Sequence, residues 1–397
     1  MKRRSVLGLG ISLALLQTGC ATGPRPELAW ENAFDAFMRD GLARTETPAM
    51  SVAVVRGDRT IFARGYGWAD IEHGVKADAD TAFHIASVSK LVTATAVMML
   101  LEQGGFGLDD KVAPYLDFPL LHPKFPDVPI TFRPLLNHTS GISDAVYEKT
   151  AAFTVQGDPR LPLRDFVKGY LSRGGGWYDA DMSFAGRPGT EWRYSNVGYA
   201  LLGYVLGRMN PDTLDVLTRE NLFEPLGMDD TAWKLAGLPR GAVVAQPYKH
   251  KEPGLQVLPP TGYPDWPAGL LRSSAHDFAR FLAIFSNGGM VGKRRYLQES
   301  TLQTMFTPQV GTVSASEPSM HQALGWVLRD LDGVQLATHS GGDPGAASVV
   351  CVDRARKTAV LAFANISTDK EFRNFQKEVV QRLLAHAAGT GAAGAKM

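Results

Sequence analysis

The apolar positions of this chain follow two periods. Near both ends they cluster in short β-branched and aromatic runs, and between the ends they recur at helical spacing. Ser51–Val55 and Thr60–Tyr66 read as strands, with Gly57-Asp58 between them as a hairpin turn. Toward the C-terminus Leu324–Leu328, Val334–His339, Ala346–Val352 and Thr358–Ala364 are strand-like, and the polar turn Asp353–Lys357 joins the last two. Strands that follow strands directly imply an antiparallel sheet. Helical patterns bracket it. Glu27–Leu42 aligns Trp30, Phe34, Phe37 and Met38, and Phe372, Phe375, Val379 and Leu383 form the stripe of a closing helix, with Thr368 and Glu371 as its capping box. The small residues of 387–397 read as a frayed tail.

From Gly105 to Asn287 strand signals thin out, Pro and Gly are scattered, and helical segments are expected at Leu163–Leu171, Asn196–Arg208, Thr213–Phe223 and Ser274–Ser286. The expected organisation is therefore α/β (α+β): residues 22–104 and 288–397 form an antiparallel sheet flanked by helices, and 105–287 form an inserted helical domain. Thr131–Ser143 reads as a helix that ends in an ordered loop. Its His138 is either a catalytic base or a structural histidine holding that loop.

The stretch Ser87–Leu101 is apolar on every face and stops at Gly104-Gly105, the pattern of a helix buried all round. Lys90 is its only charge, and a lysine buried there needs polar partners or a lowered pKa. Ser87 lies one turn earlier on the same face. A hydroxyl at a helix start beside a trapped amine suits an activated nucleophile, and the helix N-terminus favours negative charge developing there. A capping serine followed by a snorkelling lysine has the same spacing, so Ser87-Val88-Ser89-Lys90 alone decides nothing.

Composition narrows the field. The 397 residues are 45% hydrophobic, enough for a large core in one domain or two interlocked ones. A net charge of +1 with 20% charged residues gives no nucleic-acid surface. Two cysteines, Cys20 and Cys351, exclude a disulfide framework and a cysteine-rich metal site. The nine histidines are scattered without H-x-H or H-E-x-x-H, and no G-x-S-x-G elbow is present, which argues against a zinc hydrolase and an α/β-hydrolase. Residues 1–21 have the form of a signal peptide: basic Met1–Arg4, then apolar Val6–Leu16, too short to span a bilayer. Gly19-Cys20 resembles a bacterial lipoprotein junction, with Cys20 the lipidated residue. Gln17 stands where that junction usually has Leu, which leaves ordinary cleavage near Ala21 open. Arg3-Arg4 resembles a twin-arginine signal. The mature protein is expected outside the cytoplasm, periplasmic or lipid-anchored, with Cys351 a buried core thiol.

Two further stretches join Ser87 and Lys90. In Arg193-Tyr194-Ser195-Asn196, at a helix entry, a tyrosine near a buried ammonium is a candidate general base and an asparagine offers donor and acceptor together. In His339-Ser340-Gly341-Gly342, at a strand end, glycines permit close approach of the backbone to a ligand. A surface tyrosine with a capping asparagine, and a strand ending in a Gly-rich turn, are the plain readings of these stretches taken singly. Taken together and in order, the three resemble the serine β-lactamase and penicillin-binding-protein superfamily: S-x-x-K, then Y-x-N, then K-T-G or H-x-G. The resemblance is closest to the branch of class C β-lactamases, D-aminopeptidases, DD-carboxypeptidases and family VIII esterases. It covers nearly the whole mature chain, with supporting stretches at Gly65–Asp70, Phe83–Ala86, Leu135–Gly141, Glu224–Met228 and Pro267–Leu270.

The resemblance implies a sheet built from both chain ends, an inserted helical domain, an active site at their junction, and no metal or cofactor. It implies Ser87 as acylated nucleophile, Lys90 and Tyr194 as proton carriers, Asn196 as partner of Lys90 or substrate, an oxyanion hole from the N–H groups of Ser87 and Gly342, and substrate contacts at Ser340 and Gly341. His339 stands where most β-lactamases and transpeptidases have a carboxylate-binding lysine, so esters and less charged amides gain weight. His339 also has the position to orient Tyr194. Small esters, amides, D-peptides or β-lactams are the expected partners, and the oligomeric state is open. A class C-like β-lactamase and a non-catalytic penicillin-recognition or scaffolding protein are the alternatives. Trp177, Tyr178, Phe184, Tyr263 and Trp266, in Tyr147–Ala185 and Gly254–Pro267, either wall a substrate pocket or pack within the helical region.

Overall fold

The computed structural model describes residues 26–312, 319–331 and 333–389; the expected signal segment with Cys20 lies outside them, as do residues 390–397. Its centre is the run Thr358-Ala-Val-Leu-Ala-Phe-Ala364, buried at every position, which reads as continuous apolar sequence because both of its faces are covered. Numbering the strands of the main sheet along the chain gives β1 Ala49–Arg56, β2 Arg59–Asp70, β3 Val75–Lys76, β4 Val310–Thr312, β5 His321–Gln322, β6 Val327–Leu331, β7 Val334–Asp343, β8 Ala346–Asp353 and β9 Thr358–Ala364. They form one antiparallel sheet in the order β4-β5-β6-β7-β8-β9-β1-β2-β3. The two chain ends meet at its middle, where Met50 faces Ala364 and Arg56 faces Thr358.

Among the described residues the helices of eight or more residues are α1 Pro26–Arg44, α2 Ser89–Glu102, α3 Leu163–Leu171, α4 Asn196–Met209, α5 Ala275–Ser286 and α6 Lys370–Ala387. The strand period of two sorts the core into two layers. Val52, Val54, Val360 and Ala362 pack with Phe34 and Met38 of α1 and Phe372, Phe375, Val379 and Leu383 of α6. Ala53, Val55, Leu361 and Phe363 face the other way, toward Phe278 of α5 and the apolar residues of α2. Cys351 lies inside the first layer, where burial pushes its thiol up to about 12.

Several expected boundaries shift. The cap of α6 is Asp369, which accepts the Phe372 N–H at 2.8 Å, and not Thr368. The helix runs through Ala387, which is buried and whose carbonyl accepts from Arg56, so Ala387 does not belong to the expected tail. The strand expected at Leu324–Leu328 lies at Val327–Leu331. Helix α5, counted with the inserted region from its sequence, packs on the sheet with Phe278 edge-on to Phe363 at 5.6 Å, so the sheet layer resumes by Ala275 rather than at 288. Helix α2 ends as its sequence predicts, with Gly104 and Gly105 at positive φ.

Candidate active site

Ser87 does not open the α-helix itself. It sits in a 3-10 turn, Ala86–Val88, that leads into α2 at Ser89. Ala86 holds this turn at φ +46, a left-handed conformation that costs an alanine on the order of 1 kcal/mol and persists because its surroundings fix it. Those surroundings are specific. Phe83 and His84 pair with Ser273 and Arg272, Ile85 N–H donates to Leu271 O at 3.0 Å, and Ser89 Oγ donates to Ala86 O at 2.6 Å while accepting from Leu271 N–H. On the sheet side, Ser348 Oγ of β8 donates to Ile85 O at 2.6 Å.

β7 runs directly past this turn. A Cβ on Gly341 would come to 2.8 Å from Ser87 N and 2.5 Å from Ile85 O, and would also overlap Ser348 Oγ. Only glycine lets the strand approach the Ser87 amide so closely. Gly342, one residue on, is exposed and has open space around its Cα. The Ser87 turn and the Gly341-Gly342 segment are thus adjacent, as a pair of oxyanion donors requires.

Lys90 is fully buried, and its ammonium meets three oxygens: Ala268 O at 2.6 Å, Asn196 Oδ1 at 2.7 Å and Ser87 Oγ at 3.2 Å. An ammonium has three hydrogens, so the set is complete and its desolvation is offset. Nζ also lies 4.7 Å from the centre of the Tyr194 ring, within cation–π range. The sequence-selected Ser87, Lys90, Tyr194 and Asn196 therefore converge, and β7 brings Gly341 and Gly342 beside them. Ser340 is exposed on the other face of β7, and its carbonyl accepts from His339 Nδ1 at 2.8 Å.

The two histidines differ from expectation in detail. Among the described residues His339 makes no hydrogen bond to Tyr194. Burial and the charge of Lys90 push it down to about 3, so its ring is neutral at pH 7. A neutral ring that bonds a carbonyl through Nδ1 carries its hydrogen there, which leaves Nε2 an acceptor. The ring that holds Tyr194 is His138, stacked on it at 4.4 Å. His138 has φ +61, accepts the Ser195 N–H at Nδ1 and the Arg193 N–H at its carbonyl, and is held well below the usual histidine range by burial and by Lys90. It is a structural residue that ties the 137–143 loop to the Tyr194 turn.

Asp144 lies one residue past the loop read from sequence and was not anticipated. It is buried and accepts Asn196 N–H at 2.6 Å, Val197 N–H at 3.2 Å and Ser195 Oγ–H at 2.8 Å. With Ser195 Oγ accepting from Gly198, it caps α4 and fixes Asn196 for Lys90. Burial raises its pKa, against these hydrogen bonds and the charge of Lys90. The aromatic loops divide. Trp177 packs on Phe153, Phe184 is fully buried and Trp266 lies against Trp233, so these serve packing. Tyr263 instead reaches the site, its hydroxyl donating to Asp343 at 2.8 Å. Among the described residues no three His, Cys, Asp or Glu side chains converge as a metal-ion site.

The beta-lactamase family model matches residues 34–385. PbpX of Bacillus subtilis (strain 168) is 25% identical over 338 residues, which cover 83% of this chain and 74% of that protein. Protein flp of Staphylococcus aureus (strain MW2) is 21% identical, and the match spans 85% of this chain but only 64% of flp. Among solved structures, the octameric penicillin-binding protein homologue from Pyrococcus abyssi superposes with a TM-score of 0.75 at 22% identity, over 90% of this chain and 77% of that one. The D-amino acid amidase of Ochrobactrum anthropi SV3 gives 0.72 at 23%, over 92% and 100%. EstCE1, described as a hydrolase with promiscuous acyltransferase activity, gives 0.70 at 19%, over 89% and 99%.

Proposed function

The chain belongs to the beta-lactamase family and is a hydrolase, and from that premise we propose that it cleaves esters or amides through an acyl-enzyme on Ser87. The observation that carries this reading is the placement of Lys90 Nζ, which bridges Ser87 Oγ and Asn196 Oδ1 from a fully buried position. Ser87 Oγ attacks the carbonyl carbon. Lys90 stabilises the alkoxide that develops at Oγ. Tyr194, its ring against the ammonium, accepts the Ser87 proton and returns it to the departing alcohol or amine as the bond to the acyl carbon breaks. The carbonyl oxygen takes up charge between the N–H groups of Ser87 and Gly342. Water then adds to the acyl carbon, its proton passing through Tyr194, and Ser87 regains its hydrogen as the acid leaves.

His339 supports uncharged acyl substrates over carboxylate-bearing ones. It is neutral and its free ring nitrogen is an acceptor, so it lacks the positive charge a carboxylate would seek. The test is one preparation assayed with a short-chain p-nitrophenyl ester and a chromogenic cephalosporin, with Ser87→Ala as blank. Strong ester and weak cephalosporin turnover, both lost in the blank, is the expected result. A Ser87→Ala protein that kept most of its ester activity would refute the assignment. Export, with lipidation at Cys20, is part of the same reading. Labelling by radioactive palmitate that Cys20→Ala abolishes is its expected sign, and an unlabelled protein found only in the cytoplasm would overturn it.

A further inference from the structure

On β7 the side-chain positions facing the Ser87 turn are His339, Gly341 and Asp343, alternate residues of one strand face. Gly341 lies against the Ser87 amide, and the other two flank it at roughly 7 Å along the strand. Both present acceptors. His339 offers a neutral ring nitrogen. Asp343 is 27% exposed; its Oδ2 is fixed by Tyr263 O–H at 2.8 Å, and its Oδ1 has no hydrogen-bond partner among the described residues. His84 Nε2 is 3.5 Å from Oδ2, but burial holds that histidine below its ordinary range, so it supplies no standing positive charge.

A second carboxyl group belongs to the same patch. Asp265 is 2% exposed, and its Oδ1 has no hydrogen-bond partner among the described residues. Burial pushes it up to about 7, against a hydrogen bond from Tyr147 and the charge of Lys90 and with the charge of Asp144. Tyr147 and Tyr263 each feel the charges of both Asp265 and Asp343, so the two acids share one pair of aromatic neighbours beside the proposed acyl site. The cations nearby are spent. Lys90 has its three oxygens, and Arg272, buried near Tyr263, donates to Leu270 O and Thr261 O.

We propose that this patch reads a protonated amine on the acyl part of the substrate, received at Asp343 Oδ1. The substrate class is then an ester or amide of an amino acid or short peptide whose amino group is free. The inference rests on Ser87 as the acylated residue. It commits to a cation where a lysine at the position of His339 would meet an anion.

The experiment compares alanine p-nitroanilide, its N-acetyl form and its N-succinyl form, in both enantiomers, at pH 6.5, where an α-amino group is protonated. p-Nitrophenyl acetate serves as the neutral reference. For at least one enantiomer the free amine should exceed the N-acetyl form in kcat/KM by about tenfold or more, with the succinyl form lowest. Asp343→Asn should shrink the ratio of free-amine to neutral-reference kcat/KM about tenfold, chiefly through KM. Equal or better turnover of the N-acetyl form would overturn the proposal. So would an Asp343→Asn enzyme that lost both activities in proportion, which would make Asp343 only a support for Tyr263, or turnover of p-nitrophenyl acetate with none of the anilides. Reference turnover that survives Ser87→Ala would instead sink the acyl-enzyme reading, and this inference with it.

Discussion

Replacing Gly341 with alanine tests the contact on which the proposed oxyanion site depends. The added Cβ would sit 2.8 Å from Ser87 N and 2.5 Å from Ile85 O, where ordinary contact begins at 3.4 Å. The strand and the Ser87 turn would therefore have to part by about 0.6 Å at the amide and about 0.9 Å at Ile85, the differences between those distances and ordinary contact. The same Cβ strikes Ser348 Oγ, so the Ser348–Ile85 hydrogen bond that pins the turn to β8 would go as well. Oxyanion donors act over a window of about 0.4 Å, and losing one costs roughly 10²–10³ in kcat. Overpacking of this kind costs about 1–3 kcal/mol of stability. Gly341→Ala should accordingly lower kcat on a p-nitrophenyl ester by about 10²-fold, leave KM nearly unchanged and lower Tm by a few degrees. The control for folding is Gly342→Ala, whose Cβ meets nothing within 4 Å and which should leave Tm within about a degree. A folded Gly341→Ala enzyme with kcat within threefold of the parent would refute the argument.

Asp144→Ala removes the acceptor of three hydrogen bonds at the start of α4 and should cost about 2 kcal/mol by denaturant titration, with kcat falling because Asn196 loses its anchor. Wild-type stability with normal kcat would show that Ser195 suffices as cap. The pH dependence of Tm carries opposite signs from two groups. His339 has its native pKa lowered from 6.5 to about 3, so it binds fewer protons folded than unfolded, and its contribution is lost as pH falls from about 6.5 toward 3. Asp265 has its native pKa raised from 3.8 to about 7, so its contribution is lost as pH rises from about 4 to 7. His339→Gln should flatten the acid side of the Tm profile, and Asp265→Asn should raise Tm at pH 8 relative to pH 5. Variants that shift the whole profile uniformly would contradict these assignments.

The elements with strong periodicity were legible in the sequence because their cause is local. Leu163–Leu171 and Thr358–Ala364 fall where the pattern puts them, and the Gly104-Gly105 stop ends α2. The residues that converge at Ser87 were legible through three ordered motifs. What escaped depends on partners far along the chain. Asp144 caps a helix 52 residues away, and Tyr263 meets Asp343 80 residues on; no periodicity encodes either. Thr368 and Asp369 both fit a helix cap by type, and only the path of the backbone selects the second. The sequence already offered His138 as a structural residue of its loop; what it did not offer is the stacking on Tyr194, which accompanies a left-handed backbone at that residue.

The meeting of the two chain ends in the middle of the sheet has a temporal side. Ser87 and Lys90 are made early in translation, but β7 reaches its place beside the Ser87 turn only within a sheet closed by β9 against β1. At roughly 5–20 residues per second the interval from Ser87 to Ala364 is about 15–55 s. Throughout it the nascent polypeptide holds the proposed nucleophile without the Gly342 half of its proposed oxyanion pair, so the chain is expected to be silent while it is being made. A ribosome-stalled chain ending at Asp353 should ignore a fluorophosphonate that the finished protein accepts, and labelling of the stalled chain would show that the site forms before its sheet does.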